Sequence, residues 1–291
     1  MKIQQKIEKL FSVIYSENNI KKFEKYILYL ASFGFVIHLS IILLNSYNLI
    51  ELSFIETNLF SNPISALYTP FSFILIYEAF LLIYYIPRSF TTAVGKQYEI
   101  ISLIVIRKIF KDIPLVDLNA NWIDNINNLQ LIFDLLGVLM IFFLIYLFKK
   151  TKENLPIKSV SEKLDRFIAS KKLVSIILLP VLLTVSIISF TNWINGVFIN
   201  DLFDQNINYL FFNEFFTILI LADVFILLLS FQYTERYSQL IRNTGFIIST
   251  ILLRLSFAAT GLTSILLIIS GIVFGLIILL IYNAIEKEFA N

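Results

Sequence analysis

The sequence predicts an all-α, polytopic membrane protein: eight transmembrane helices arranged as two parallel four-helix repeats, with both termini cytoplasmic. Three observations carry this expectation. At 58% hydrophobic and only 15% charged residues, the chain is too apolar for a soluble globule and belongs in a bilayer. Its Lys and Arg are gathered into a few clusters, while several connections carry none. One apolar octapeptide is written twice, as "IISLIVIR" from Ile100 to Arg107 and as "IISTILLR" from Ile247 to Arg254.

The elements follow in chain order. Ile3, Ile7, Phe11 and Ile14 recur at helical spacing among lysines, which predicts an interfacial helix attracted to anionic lipid. About 20 apolar residues cross a hydrocarbon core. Six segments approach or reach that length: Tyr26 to Tyr47, Ala66 to Ile86, Leu129 to Phe148, Leu173 to Ile194, Phe215 to Phe231 and Leu262 to Ile281. Two shorter runs, Tyr98 to Ile113 and Phe246 to Phe257, hold the octapeptides, and length alone leaves open whether they cross or lie flat.

Charge decides between these cases, because Lys and Arg near span ends favour the cytoplasm. Six lysines precede the first span, and eight basic residues lie between Lys149 and Lys172. The connections Asn48 to Ser65 and Asn195 to Glu214 hold acids and no Lys or Arg. If Tyr98 to Ile113 stayed on the surface, Arg88 and Lys96 would face the basic linker across the membrane. Eight crossings remove that conflict. The expected organisation is a cytoplasmic amphipathic segment (1–25), a first transmembrane repeat (26–150), a basic linker (151–172) and a second repeat (173–291). Pro180 should kink the fifth span and Pro87 end the second. Trp122 and Trp193 suit the outer interface.

The octapeptides are part of a longer repeat. "YEAFLLI" places Glu78 two residues before Phe80, and "ADVFILL" places Asp223 two before Phe225. The acids are offset by 145 residues (223 minus 78) and the arginines by 147 (254 minus 107). His38 matches Thr184, which points to a structural histidine, and Asp134 is expected to be solvated near an outer helix end. Four spans return the chain to its starting side, so the two halves share one orientation.

Tyr77 and Glu78, then Tyr98, then "IVIRKIFKDI" with Arg107 and Asp112, then "LLGVLMIFFLIYLFKK" form a pattern over Ala66 to Lys150. It resembles the phosphate-starvation-inducible E (PsiE) proteins, four-span proteins of the bacterial inner membrane. The second half follows through the internal repeat, although the position matching Asp112 falls near Ala259. The resemblance implies a multi-pass protein of the bacterial cytoplasmic membrane, and a stress-response setting through the induction that names the family. It implies no reaction.

The candidate site residues are Glu78, Arg107, Asp223 and Arg254. A charge at the centre of a span costs about 2.5 to 3.5 kcal/mol on insertion scales, so these groups need partners. The expected couples are Glu78 with Arg107 and Asp223 with Arg254. Two readings stay open: the couples lock helices together, or they line a hydrated ion or proton path with Tyr77, Ser102, Ser249, Thr250 and Asp112 beside them. The sequence contains no cysteine and one histidine, and no Gly-rich phosphate loop, Gly-x-Ser-x-Gly or His-Glu-x-x-His pattern. It therefore argues against an enzyme and points to no cofactor and no metal site. With a net charge of +2, nucleic acid is not an expected partner. The function classes are ion or proton permeation and, alternatively, a non-transporting membrane subunit, adaptor or effector. The expected partners are the lipid bilayer, anionic lipid at the basic segments, and a second copy or another membrane protein.

Overall fold

The computed structural model describes residues 2–49, 62–113, 116, 122, 125–153, 162–199, 207–234, 236–259 and 261–288. Among these, all regular structure is helical. It comprises α1 (Lys2–Ile14), α2 (Glu17–Ser46), a 3-10 turn (Pro63–Leu67), α3 (Tyr68–Tyr84), α4 (Phe90–Asp112) and α5 (Ile126–Glu153), then α6 (Glu162–Ile199), α7 (Ile207–Tyr233), α8 (Tyr237–Leu255) and α9 (Gly261–Glu288). The breaks have local causes. Ser16 ends the first helix and caps the second, its hydroxyl accepting from the Asn19 amide. The turn Tyr85–Pro87 separates α3 from α4, where Ser89 accepts from the Thr92 amide. Gly261 opens α9 with a φ of +60°, a conformation that favours glycine.

Among the described residues, six segments are long and apolar enough to cross a bilayer: Gln4–Ser46, Pro63–Tyr84, Ile126–Glu153, Asp165–Ile188, Glu214–Tyr233 and Gly261–Glu288. These carry the large exposed apolar side chains of α2, α5, α6 and α7, as lipid contact requires. Both α4 and α8 fall outside that set, yet they are longer than their apolar runs. Each gains about two polar turns at its start, Phe90 to Gln97 and Tyr237 to Gly245.

Packing pairs helices from the two halves of the chain. α5 meets α9 and α4 meets α8 at the centre, while α2 lies on α3 and α6 on α7. Contacts of α3 with α4, α4 with α8, α8 with α7, α7 with α6 and α6 with α3 close a five-helix ring. Small residues permit the close approaches: Gly137 faces Ile265, and Gly271 lies against the Ser249 backbone.

Several expectations change here. Asp134 is fully buried rather than solvated: it shares the inward face of α5 with Gly137 and Val138, and the Gln130 amide donates to its Oδ1 at 2.6 Å. The basic linker is partly helix, because α6 starts at Glu162 and runs through Pro180 without interruption. Within it, Phe167 packs between Phe90 and Tyr233. α1 docks on α6, with the Tyr15 hydroxyl donating to the Ser175 carbonyl at 3.0 Å, so Phe11 and Ile14 face protein while Leu10 and Val13 remain exposed. Val160 and the side chains of Asp112, Leu164 and Trp193 lie outside the described residues.

Candidate functional site

Two helical hairpins carry the candidate residues, α3 with α4 and α7 with α8. Apolar residues hold the paired helices together, and the polar residues between them must satisfy one another because neither lipid nor core supplies partners. In the first hairpin the Arg107 guanidinium meets the Glu78 carboxylate, and its Nη1 donates to the Phe71 carbonyl at 2.9 Å. In the second, Arg254 Nη1 lies 2.6 Å from Asp223 Oδ2. The Thr250 hydroxyl shares its proton between the same Oδ2, at 3.0 Å, and the Ile247 carbonyl, at 2.9 Å. The structure thus brings together both expected acid–arginine couples, with Thr250 as a third member in the second.

The accessory hydroxyls are engaged elsewhere. Tyr77 donates to the Glu24 carboxylate of α2, away from Arg107. Ser102 donates to the Glu99 carbonyl of its own helix. Ser249 donates to the Gly271 carbonyl at 2.7 Å and meets the Tyr98 hydroxyl at 2.6 Å, which ties α4, α8 and α9 together. The Tyr98 hydroxyl fills the space that a side chain at Gly275 would need. His38 pairs with the Thr69 hydroxyl at 2.7 Å, as a structural histidine does.

Two features were not anticipated from the sequence. The first is an aromatic pair one turn beyond each arginine, Phe71 with Phe110 at 5.5 Å and Phe216 with Phe257 at 4.4 Å and nearly parallel. These residues obey the repeat offsets (216 minus 71 is 145; 257 minus 110 is 147), which is the signal that would have found them. The second is Lys171, buried on α6. Its ammonium donates to the Arg88 carbonyl and lies over the Phe90 and Phe167 rings at 4.7 and 5.5 Å. It therefore pins α6 to the α3–α4 turn. Its position inside a run of basic residues disguised it as a solvated charge.

Among the described residues, no group of three or more His, Asp and Glu is placed to hold a metal ion. No family model, curated protein or solved structure matches the chain, so the functional reading rests on this geometry and on the residue pattern.

Proposed function

We propose that the chain is a non-transporting, multi-pass membrane subunit: a rigid lipid-embedded platform whose basic end meets anionic lipid or a protein partner. The observation that carries this reading is the pairing within both couples. Each carboxylate is engaged by the guanidinium of its own hairpin, with Phe71 O as a further acceptor for Arg107 and Thr250 as a further donor to Asp223. Groups paired this way clamp helices and fix register.

In this reading all eight long helices cross, both termini are cytoplasmic, and the two repeats are parallel. α4 accompanies α3 from the turn at Pro87 to the Phe71–Phe110 contact, only three residues from the far end of α3. A partner that follows a spanning helix so far spans with it. At 1.5 Å per residue, the 23 residues of α4 and 19 of α8 reach about 34 and 28 Å, against a core of about 30 Å. The platform is a PsiE-like protein of the bacterial inner membrane and has no catalytic role. Labelling should find Ser89 and Lys158 on the same face; opposite faces would remove the eight-span arrangement.

One observation favours permeation of protons or small ions as a second reading. Glu78, Arg107, Asp223, Arg254 and Lys171 all belong to helices of the five-membered ring. Reconstituted protein separates the two. No flux of H+, K+, Na+ or small anions above that of empty vesicles supports the platform. A flux abolished by Glu78→Gln or Asp223→Asn overturns it.

A further inference from the structure

A cavity of about 290 Å³ opens between the turn-proximal end of α4 and the C-terminal end of α5. Lys96, Lys149, Lys152 and Thr92 line its wall, and the Phe148 ring lies beside Gly95 at its floor. Glu99 stands between two of the lysines, 2.7 Å from Lys96 Nζ and 2.8 Å from Lys149 Nζ. One carboxylate thus holds two ammonium groups together while leaving both with unused N–H donors. Glu153 also lines the cavity, so its formal charge is +1, three lysines against two glutamates.

The helices continue from this cavity as an apolar surface. Leu103 and Phe110 lie seven and fourteen residues after Lys96, and Phe142 and Leu135 lie seven and fourteen before Lys149; all four are exposed. A spacing of seven keeps residues on one face of a helix, so each lysine heads an outward apolar stripe.

The second repeat has no such arrangement. At the same offsets, Gly95 becomes Arg242 and Lys96 becomes Asn243 (243 minus 96 is 147). Aligning Tyr146 with Tyr282 (282 minus 146 is 136) makes Lys149 Ile285 and Lys152 Glu288. Arg242 bonds Asn243 Oδ1 through Nε and Nη2, at 3.2 and 2.9 Å, and lies 4.6 Å over the Tyr282 ring. A side chain of the chain itself stands where the first repeat has glycine.

We propose that the α4–α5 cavity binds the phosphodiester headgroup of an anionic phospholipid, with an acyl chain lying along Leu103, Phe110, Phe142 and Leu135. The assignment rests on the platform reading and names its lipid partner. A headgroup phosphate is a small anion that accepts from several ammonium donors at once. A soluble phosphate would engage the lysines alone; a phospholipid also lays an acyl chain on the exposed apolar residues that continue from the cavity.

The test uses full-length purified protein and native mass spectrometry, comparing retention of phosphatidylglycerol and phosphatidylcholine at equal concentration. The expected preference for phosphatidylglycerol is about tenfold, the scale of one to two lysines acting on an anionic headgroup. It should vanish in the Lys96→Gln, Lys149→Gln double variant. It should persist in Lys96→Arg, Lys149→Arg, which keeps the charge, and in Lys21→Gln, Lys22→Gln, which removes equal charge elsewhere. Glu99→Gln frees both ammonium groups and should raise retention severalfold. Equal retention of the two lipids by the wild type overturns the site. So does an equal loss in the Lys21, Lys22 control, a loss in the arginine variant, or a fall in Glu99→Gln. Millimolar inorganic phosphate should not displace the lipid; displacement as effective as that by short-chain phosphatidylglycerol identifies a soluble anion and overturns the lipid assignment. Ion flux through the reconstituted protein removes the platform reading with the lipid preference intact, whereas lost preference with silent vesicles removes this site alone.

Discussion

The two hairpins solve one problem with unequal completeness. In α7–α8 the couple is sealed: the side chains of Arg254 and Asp223 are 2% and 5% exposed, and Thr250 adds a donor to the carboxylate. In α3–α4 the Arg107 side chain is 11% exposed, and the position matching Thr250 is Leu103, which points outward (250 minus 147). Arg107 takes its extra bond from the Phe71 backbone instead. The acid and arginine are separated by 31 residues in the second hairpin (254 minus 223) and 29 in the first (107 minus 78). There the longer side chain of Glu replaces Asp. The lesson is that the same charge pair recurs in both hairpins while the surrounding bonds differ, so the second hairpin is the more demanding structural clamp. The first repeat instead keeps an open basic cavity.

The largest expected effect tests that ranking. Arg254→Met strands a buried carboxylate and should destabilise the protein by about 3 to 5 kcal/mol, the range for breaking a buried pair. Arg107→Met should cost less, because the Arg107 side chain is 11% exposed against 2% for Arg254 and is the less enclosed of the two. Denaturation in mixed micelles, scored by retained helicity and monomer migration, measures both. Adding Asp223→Leu to Arg254→Met should recover part of the loss, since apolar replacement of both partners removes the stranded charge. Equal costs in the two repeats would break the comparison, and simple additivity of the paired changes would deny the couple itself.

Next in size is the junction that Tyr98 of the first half makes with Ser249 and Gly275 of the second. Gly275→Ala would drive a methyl group into the Tyr98 hydroxyl and to 2.9 Å from Ser249 Oγ, in a region where Tyr98 and Ser249 are fully buried. Overpacking of this kind costs about 1 to 3 kcal/mol. Tyr98→Phe removes the colliding oxygen and should recover part of that cost in the double variant. Gly245 takes the place of Tyr98 at the matching offset (245 minus 98 is 147), and a methyl group there lies 2.6 to 2.8 Å from Ile278 side-chain atoms, a milder collision than that with the Tyr98 hydroxyl. Gly245→Ala should therefore cost less than Gly275→Ala in the same unfolding assay.

The charge pairs were legible in the sequence because charges in apolar helices are rare and each must find a partner. Two acids and two arginines at matched offsets left little choice. The six long spans were legible for the same reason, an unbroken apolar run. What the sequence concealed were contacts made by ordinary residues. Phe71, Phe110, Phe216 and Phe257 are four of 29 phenylalanines, so the offset distinguishes them and composition does not. Lys171 looked like one more cytoplasmic lysine because its burial depends on Phe90 and the Arg88 carbonyl, some eighty residues away. Asp134 looked solvated because a neighbouring helix, not its own, covers it. The polar first turns of α4 and α8 escaped the apolar count, although capping by Ser89 marks the start of α4.

The smallest effect is the most specific to the comparison. Thr250→Val keeps the side-chain shape and removes one donor to Asp223, leaving the Arg254 contact in place. Hydrogen bonds between membrane helices average about 0.6 kcal/mol, so the loss should be near that value. The converse change, Leu103→Thr, sits at the equivalent sequence position and should gain nothing, because Leu103 faces outward rather than toward Glu78. A gain from Leu103→Thr would mean that the first hairpin turns its α4 face inward as the second does, and that the two clamps are the same device. A loss at Thr250 that persists when Asp223 is already Leu would assign the threonine to its Ile247 carbonyl bond and leave the acid–arginine couples alike in both repeats.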